Sequence, residues 1–283
     1  MKIITGLQAM SKFSFEQKRK GNKIGFVPTM GALHGGHLSL IRSARKDNDL
    51  VVVSVFVNPT QFGPKEDLKT YPRVFLKDAT LCREEEVDVL FSPSAQDMYP
   101  KGFKTYLNVE DLSEKLCGSF RPGHFKGVAT VVVKLFNIVK PDNAYFGMKD
   151  AQQFLIIKRL AFDLNFPVKI HVCPTIREKD GLAMSSRNRY LSPALRRQAL
   201  VLPKSLQLAK RLIHLGERSP KKIIGRMRRI ICTAKDSRLD YISVTDLDNL
   251  EPLKKIKDEA LVALAVWIGR TRLIDNCILR LKD

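Results

Sequence analysis

The stretch FVPTMGALHGGHLSL, residues 26–40, joins the end of an apolar strand to a glycine-rich turn and the start of a helical pattern. This arrangement favours binding of an anion, because free backbone N–H groups and the helix dipole both face the turn. His34 and His37 are three residues apart, so they share a face if the helix begins near His34. Two imidazoles at that position can donate hydrogen bonds to a phosphoryl group as negative charge builds on it.

The residues that follow this stretch continue the alternation of strands and helices. Residues 50–57, LVVVSVFV, are typical of a strand buried on both faces of a parallel sheet. Helical spacing over residues 73–86 and an apolar run over residues 87–91 follow. The alternation predicts an α/β fold with a Rossmann-like, doubly wound parallel sheet. Ligands bind such sheets at the carboxyl ends of the strands, where the two histidines, Asn58 and Gln61 would lie.

The remaining sequence predicts the rest of this sheet and a second domain. The predicted elements are an edge strand over 105–109, a helix ending at Val139, a strand over 143–146, a helix ending near Leu164 and a strand over 168–172. A polar connection over 177–189 divides the chain into a Rossmann-like domain, 1–176, and a smaller C-terminal α+β domain, 177–283. In the second domain, two basic helices at about 193–215 and 220–235 accompany apolar segments at 239–245, 260–268 and 273–281. Helices with three such segments predict an antiparallel sheet.

The net charge of +20 predicts an anionic partner, which could be a nucleotide, a carboxylate substrate or nucleic acid. Residues 196–235 carry twelve Lys or Arg and one acidic residue, Glu217. Leu and Ile recur among them at helical spacing, which favours solvated amphipathic helices over an RNA-binding face. We therefore expect no nucleic-acid partner.

Other classes of protein are disfavoured by the sequence. The longest apolar runs are too short to span a bilayer, and no basic-then-apolar leader follows Met1, so we expect a cytoplasmic protein without a membrane partner. No two of the five cysteines have metal-ligand spacing, which predicts reduced, mostly buried thiols and no structural metal site.

Three further strings place polar groups at predicted strand ends and in the polar connection. FVNPTQF, residues 56–62, supplies amides, which recognise carboxylate and hydroxyl groups without adding charge. In GMKDAQQ, residues 147–153, Lys149 can neutralise phosphate and Asp150 can cap a helix or orient a ribose. The two hydroxyls and the guanidinium of MSSRN, residues 184–188, suit a triphosphate.

The paired histidines resemble the signature of the nucleotidyl-transferring α/β superfamily, which includes class I aminoacyl-tRNA synthetases, cytidylyltransferases and pantothenate synthetases. The longer string PTMGALHGGHLSL is similar to the pantothenate synthetase family in particular. The similarity includes RPGHFKGV at 121–128, for which it implies a supporting role of Arg121, His124 and Lys126, and it extends to DYISVT at 240–245 and TRLIDN at 271–276. Gly35 departs from the family, whose members often carry an acidic residue there.

This resemblance implies a pantoate–β-alanine ligase that uses ATP, forms pantoyl adenylate and releases AMP and pyrophosphate, making pantothenate. It implies His34 and His37 as catalytic residues, with His37 as the better candidate for proton donor, and Gln61 and Gln153 as pantoate ligands. Mg²⁺ would be carried mainly by the ATP phosphates, and the family implies a homodimer. It also implies that the domain of residues 1–176 binds ATP and pantoate and that the domain of residues 177–283 is a lid. The residues implied to bind ATP are Met30, Gly31, Ala32, Leu33, His34, Gly35, Gly36, His37, Gly147, Met148, Lys149, Asp150, Ile176, Met184, Ser185, Ser186 and Arg187.

Two alternatives stay open at the level of the sequence. A nucleotidyltransferase of the cytidylyltransferase type would keep the nucleotide in its product and would yield a nucleotide-diphosphate conjugate instead of free AMP. A nucleic-acid-binding module would use the basic helices and would show salt-dependent retention on RNA without ATP turnover.

Overall fold

A computed structural model describes residues 1–64 and 66–281, which form a six-stranded and a three-stranded sheet. The strands are β1 (Lys2–Ile4), β2 (Ile24–Thr29), β3 (Leu50–Val55), β4 (Val89–Phe91), β5 (Asn143–Gly147), β6 (Lys169–Cys173), β7 (Ser237–Thr245), β8 (Glu259–Ile268) and β9 (Thr271–Arg280). The helices are α1 (Leu7–Arg19), α2 (Gly35–Asp47), α3 (Phe75–Glu84), α4 (Ala95–Met98), α5 (Cys117–Phe120), α6 (His124–Val139), α7 (Ala151–Asp163), α8 (Pro193–Ala199), α9 (Val201–His214) and α10 (Pro220–Ile231). Within the described ranges, none of these helices is both long and apolar enough to cross a membrane.

The large sheet is parallel and has the strand order β1-β4-β3-β2-β5-β6. From β2 the chain moves outward to β3 and β4 on one side, and later to β5 and β6 on the other. The order therefore reverses between β2 and β5, and ligands of doubly wound sheets bind at such a reversal. The predicted α/β fold is confirmed, and the histidine-containing turn after β2 lies at the reversal.

Helices cover both faces of the large sheet, which explains the unbroken apolar runs of its central strands. Phe26 of β2 belongs to one buried cluster together with Phe136 of α6. The next residue, Val27, belongs to the opposite cluster together with Ile41 of α2. Successive side chains of a strand point to opposite faces, so β2 contributes to both cores and fixes the position of the turn that follows it.

The small antiparallel sheet, in the order β7-β8-β9, lies between its own helices and the larger domain. Leu273 and Cys277 of β9 pack in the cluster that contains Met227 of α10. Ile274 and Ile278 face the other way and pack against the core of the first domain. The predicted smaller α+β C-terminal domain is confirmed, and its sheet contacts the first domain directly.

Two predicted elements differ from the structure. The predicted edge strand at 105–109 is wrong for this described segment, because the Leu107 N–H donates to Thr130 Oγ1 at 3.0 Å instead of joining a strand. The single basic helix predicted at about 193–215 is divided at Leu200 into α8 and α9. Pro203 has no N–H to donate to Ala199, and its ring crowds the preceding turn.

Candidate active site

A cavity of about 220 Å³ opens where the strand order of the large sheet reverses. Side chains reach it from the ends of β2, β3 and β5 and from the connection after β6. Most of the residues proposed from the sequence therefore share one cavity, although they lie far apart in the chain. Those that line it are Met30, His34, Gly36, His37, Gln61, Gly147, Lys149, Asp150, Gln153, Ile176, Met184, Ser185, Ser186 and Arg187.

The two histidines form the start of α2, and backbone N–H groups there fix the tautomer of each ring. His34 is the N-cap, and its Nδ1 accepts from the Gly36 N–H at 3.1 Å. His37 Nδ1 accepts from the His34 N–H at 3.4 Å, which completes a reciprocal capping box. Because each Nδ1 is an acceptor, each neutral ring carries its proton on Nε2. The ring centroids are 4.1 Å apart, so two Nε2–H donors lie side by side.

Both rings stay neutral at pH 7. Burial, with a smaller contribution from Lys149, lowers the pKa of His34 to about 4. Burial, followed by the proximity of His34, lowers the pKa of His37 to about 3. The pair therefore faces the cavity as hydrogen-bond donors without a formal charge. The role of His37 as a proton donor stays a prediction.

The turn before the histidines is held by Asp78 of α3. Its two carboxylate oxygens accept from the Ala32 N–H at 2.9 Å and the Leu33 N–H at 2.8 Å. Gly31 has a φ of +80°, and a Cβ there would lie 2.9 Å from Asp78 Oδ2, so a side chain would strain the turn and crowd the carboxylate. Asp78 was not predicted as part of the site, because nothing local in the sequence indicates a contact between residues this far apart. It acts as a positioning residue for the histidine turn.

Gln61 is 7% exposed, and its amide is oriented by neighbours on both sides. Its Oε1 accepts from Asn58 Nδ2 at 2.9 Å, and its Nε2 lies 3.2 Å from Met30 Sδ. Helix α6 comes very close to this segment, since a Cβ on Gly127 would be 2.5 Å from Thr60 O. Only glycine fits there, and this close packing fixes the backbone that carries Gln61.

A third histidine, His124, is buried and supports the Gln61 segment through its backbone. His124 Nδ1 donates to Gln61 O at 2.8 Å, and His124 Nε2 accepts from Arg121 at 2.8 Å, because an arginine can only donate. Arg121 is also paired with both carboxylate oxygens of Glu66 at 2.6 Å. Burial, and then Arg121, lowers the pKa of His124 to about 3. Lys126, the third member of the predicted supporting set, is exposed and lies over the ring of Tyr106.

The cavity also presents cations and hydroxyls. Lys149 Nζ lies 3.4 Å from Asp150, and Ser186 Oγ is 3.2 Å from Tyr71 OH. Arg187 donates two hydrogen bonds to Asp67, at 2.9 and 2.7 Å. The sequence predicted the lysine, the serine and the arginine but not Tyr71 or Asp67, which precede α3 and approach the cavity only through the fold.

A family profile described as pantoate-beta-alanine ligase matches residues 2–278. This chain belongs to that family. Among curated members, the pantothenate synthetase of Thermotoga petrophila is 55% identical over 279 residues, covering 99% of this chain and all of the relative. That of Moorella thermoacetica is 52% identical over 283 residues and covers the whole of both chains.

Solved structures of the pantoate-beta-alanine ligase family have the same fold. The pantothenate synthetase of Thermus thermophilus has a TM-score of 0.93 at 42% identity, covering 98% of this chain and 99% of the other. The ligase of Francisella tularensis, solved with beta-gamma ATP and beta-alanine, has a TM-score of 0.81 at 38% identity and covers 98% and 97% of the two chains.

Five residues predicted for the ligase site shape its backbone without lining the cavity: Gly31, Ala32, Leu33, Gly35 and Met148. Gly35, the departure from the family pattern, has a specific neighbour. A Cβ at this position would lie 3.0 Å from Met184 Sδ, so the absence of a side chain lets Met184 pack directly on the start of α2. Met184 belongs to the MSSRN string, and this contact joins that string to the start of α2.

Proposed function

We propose that this cavity joins pantoate to β-alanine at the expense of ATP, through a pantoyl-adenylate intermediate. The observation that carries the proposal is the pair of Nε2–H donors of His34 and His37 at a helix start, in one cavity with the cations Lys149 and Arg187. Several donors in one cavity suit a chain of phosphates whose charge shifts during reaction.

In the first step, the pantoate carboxylate attacks the α-phosphorus of ATP and pyrophosphate leaves. Such a displacement needs positioning and charge stabilisation more than covalent help. We assign His34 and His37 to the α-phosphate oxygens and Gln61 and Gln153 to pantoate. The β- and γ-phosphates are assigned to a second set of donors that line the cavity: Lys149, Ser185, Ser186 and Arg187.

We further propose that Mg²⁺ accompanies ATP, held mainly by phosphate oxygens. Asp150 is the carboxylate of this cavity that fits such an ion, since Mg²⁺ is usually bound by one or two carboxylates together with substrate phosphates. Burial opposes ionisation of Asp150, but Lys149 lowers its pKa overall, so the carboxylate is charged. When bound, the ion would neutralise part of the phosphate charge.

In the second step, the amine of β-alanine attacks the acyl carbon of the adenylate. A C–N bond forms, the bond between the acyl carbon and the phosphate oxygen breaks, and AMP leaves with that oxygen. The same amides that held pantoate keep the acyl group in place. The neutral histidine donors then face the phosphate of the departing AMP.

The test is an assay for AMP release from ATP that requires both pantoate and β-alanine. Pantoate labelled with heavy oxygen in its carboxylate should yield labelled AMP, and ATP with pantoate alone should support exchange of labelled pyrophosphate into ATP. ADP in place of AMP, or label retained wholly in pantothenate, would contradict the adenylate route. A nucleotide-diphosphate conjugate as product would instead indicate a nucleotidyltransferase of the cytidylyltransferase type.

The family resemblance supports three broader proposals. We propose a homodimer, to be tested by sedimentation equilibrium, and a cytoplasmic location, to be tested by fractionation. We also propose that residues 1–176 and 177–283 act as two domains, with the second as a lid over ATP. Limited proteolysis with and without ATP and pantoate should cut near the boundary and should be slowed by the ligands.

A further inference from the structure

Asn276 of β9 is a polar residue in an apolar stripe that faces the first domain. Its neighbours on the same side of the strand, Ile274 and Ile278, pack against the core of the large domain. Asn276 is 5% exposed, so its amide must find partners inside the protein or lose the hydrogen bonds that water would supply.

The partners of Asn276 are two consecutive backbone carbonyls of the phosphate-binding turn. Asn276 Nδ2 donates to Met148 O and to Lys149 O, both at 2.9 Å. These residues belong to the 3₁₀ turn Met148–Asp150, between β5 and α7, and the side chain of Lys149 lines the cavity. One side chain of the C-terminal sheet thus fixes the backbone of the lysine assigned to the phosphates.

The preceding residue, Asp275, ties the same strand to the second phosphate-binding segment. Asp275 is 2% exposed and pairs with Arg177 through both oxygens, at 2.7 and 3.0 Å. Arg177 also donates to Gly181 O at 3.1 Å, within the connection that leads to MSSRN. Asp275 Oδ1 accepts from the Asn276 N–H at 2.8 Å, which holds the two residues together.

We propose that Asn276 is a positioning residue for the adenylation step, setting the turn of Lys149 from the opposite domain. The inference rests on the proposed function and extends it to a residue outside the cavity. Lys149 is needed while the β- and γ-phosphates are present, and it loses that task once pyrophosphate has left. Asn276 therefore matters for formation of the adenylate and not for its reaction with β-alanine.

The buried amide of Asn276 is only half satisfied. Within the described residues, its Oδ1 is buried without a hydrogen-bond partner. An unpaired buried acceptor is costly, so the two hydrogen bonds from Nδ2 must offset that cost. Leucine would remove the unpaired oxygen, but it would also leave Met148 O and Lys149 O without this donor.

The test compares two half-reactions in Asn276→Leu, Asn276→Asp and Lys115→Met. Lys115 supplies the matched control, because it joins the domains elsewhere, through Asn249 O at 2.7 Å and Glu251. Adenylation is measured as pyrophosphate exchange with ATP and pantoate. Aminolysis is measured by mixing enzyme with preformed pantoyl adenylate and β-alanine. Urea denaturation reports the stability of each variant.

We expect Asn276→Leu to fold but to be less stable than the wild type, because Met148 O and Lys149 O lose a donor. Exchange should be slowed 10- to 100-fold, the loss typical of a displaced catalytic group, with aminolysis within about twofold. Lys115→Met should resemble the wild type in both half-reactions. If leucine prevents folding, Asn276→Asp takes its place in the test. Aspartate matches asparagine in size but presents only acceptors to the two carbonyls, so exchange should be slowed while aminolysis stays near the wild-type rate.

Wild-type exchange rates in the folded Asn276 variants would overturn the inference, as would an equal loss in both half-reactions or an equal loss in Lys115→Met. Absence of exchange in the wild type itself would overturn the proposed function and the inference with it. Exchange that occurs in the wild type and at the same rate in the Asn276 variants would contradict the inference and leave the proposed function intact.

Discussion

Mild acid should destabilise the protein because the ring of His124 is neutral when buried and gains a proton on unfolding. His124→Gln should remove that loss of stability. The pKa of this ring is about 3 in the folded protein, against an ordinary value of 6.5. Between these values the unfolded chain binds more protons than the folded chain, so the free energy of unfolding falls as the pH is lowered. At pH 5, about 1.5 units below the ordinary pKa, the ring contributes a loss of about 2 kcal/mol, at roughly 1.4 kcal/mol per unit.

That figure depends little on the folded pKa, because the ring is almost entirely neutral in the folded protein at pH 5. His34 and His37, with pKa values of about 4 and 3, act in the same direction. The wild type should therefore lose more than about 2 kcal/mol by the same arithmetic. The difference in this loss between the wild type and His124→Gln gives the contribution of His124 to the free energy of unfolding.

The assay is urea denaturation followed by circular dichroism and by the fluorescence of Trp267, the single tryptophan, at pH 7.5 and pH 5.0. The stability difference between wild type and His124→Gln should move by about 2 kcal/mol in favour of the variant on going to pH 5. The exposed His214 at the end of α9 provides the control, His214→Gln, which accounts for the loss of a histidine as such. A difference that is independent of pH would refute the assignment of His124 as a buried neutral ring.

Three further predictions concern the site and the basic helices. Replacing His37 with Ala should lower turnover roughly a hundredfold or more in a folded protein, since one transition-state donor is lost; near wild-type turnover would remove it from the mechanism. Replacing Gln61 or Gln153 with Ala should weaken pantoate binding far more than ATP binding by calorimetry, and equal weakening would speak against their assignment. Replacing Arg228 and Arg229 with Gln should leave turnover unchanged, because both side chains are solvated on α10; RNA binding that these changes abolish would contradict that interpretation.

The elements that the sequence predicted best are those with a local physical cause. β2 and β3 were recognisable because strands buried on both faces need unbroken apolar runs, and the turn after β2 because it needs glycine. The histidine spacing was informative for the same reason, since residues three apart on a helix are neighbours. Helix α2 begins at Gly35, directly after His34, whose side chain caps it.

The misjudged features depend on contacts between distant residues. Asp78 reaches the histidine turn and Asn276 reaches the Lys149 turn only after the chain has folded, and no periodicity encodes such meetings. The segment 105–109 has strand-like residues, but its backbone bonds to the side chain of Thr130. The division of the helix at Leu200 is the exception, because its cause, Pro203, is local and visible in the sequence.

In the proposed assignment, the ion pair between Arg187 and Asp67 competes with the β- and γ-phosphates for the guanidinium. The carboxylate is tethered to the same molecule, so it competes with an incoming phosphate without the loss of translational freedom that a free ligand undergoes. The single phosphate of a monophosphate, assigned to His34 and His37, would leave this pair intact and gain nothing from Arg187. A triphosphate would displace the carboxylate and offset that loss by engaging both Arg187 and Lys149. The pair would thus favour binding of the triphosphate that enters over the monophosphate that leaves.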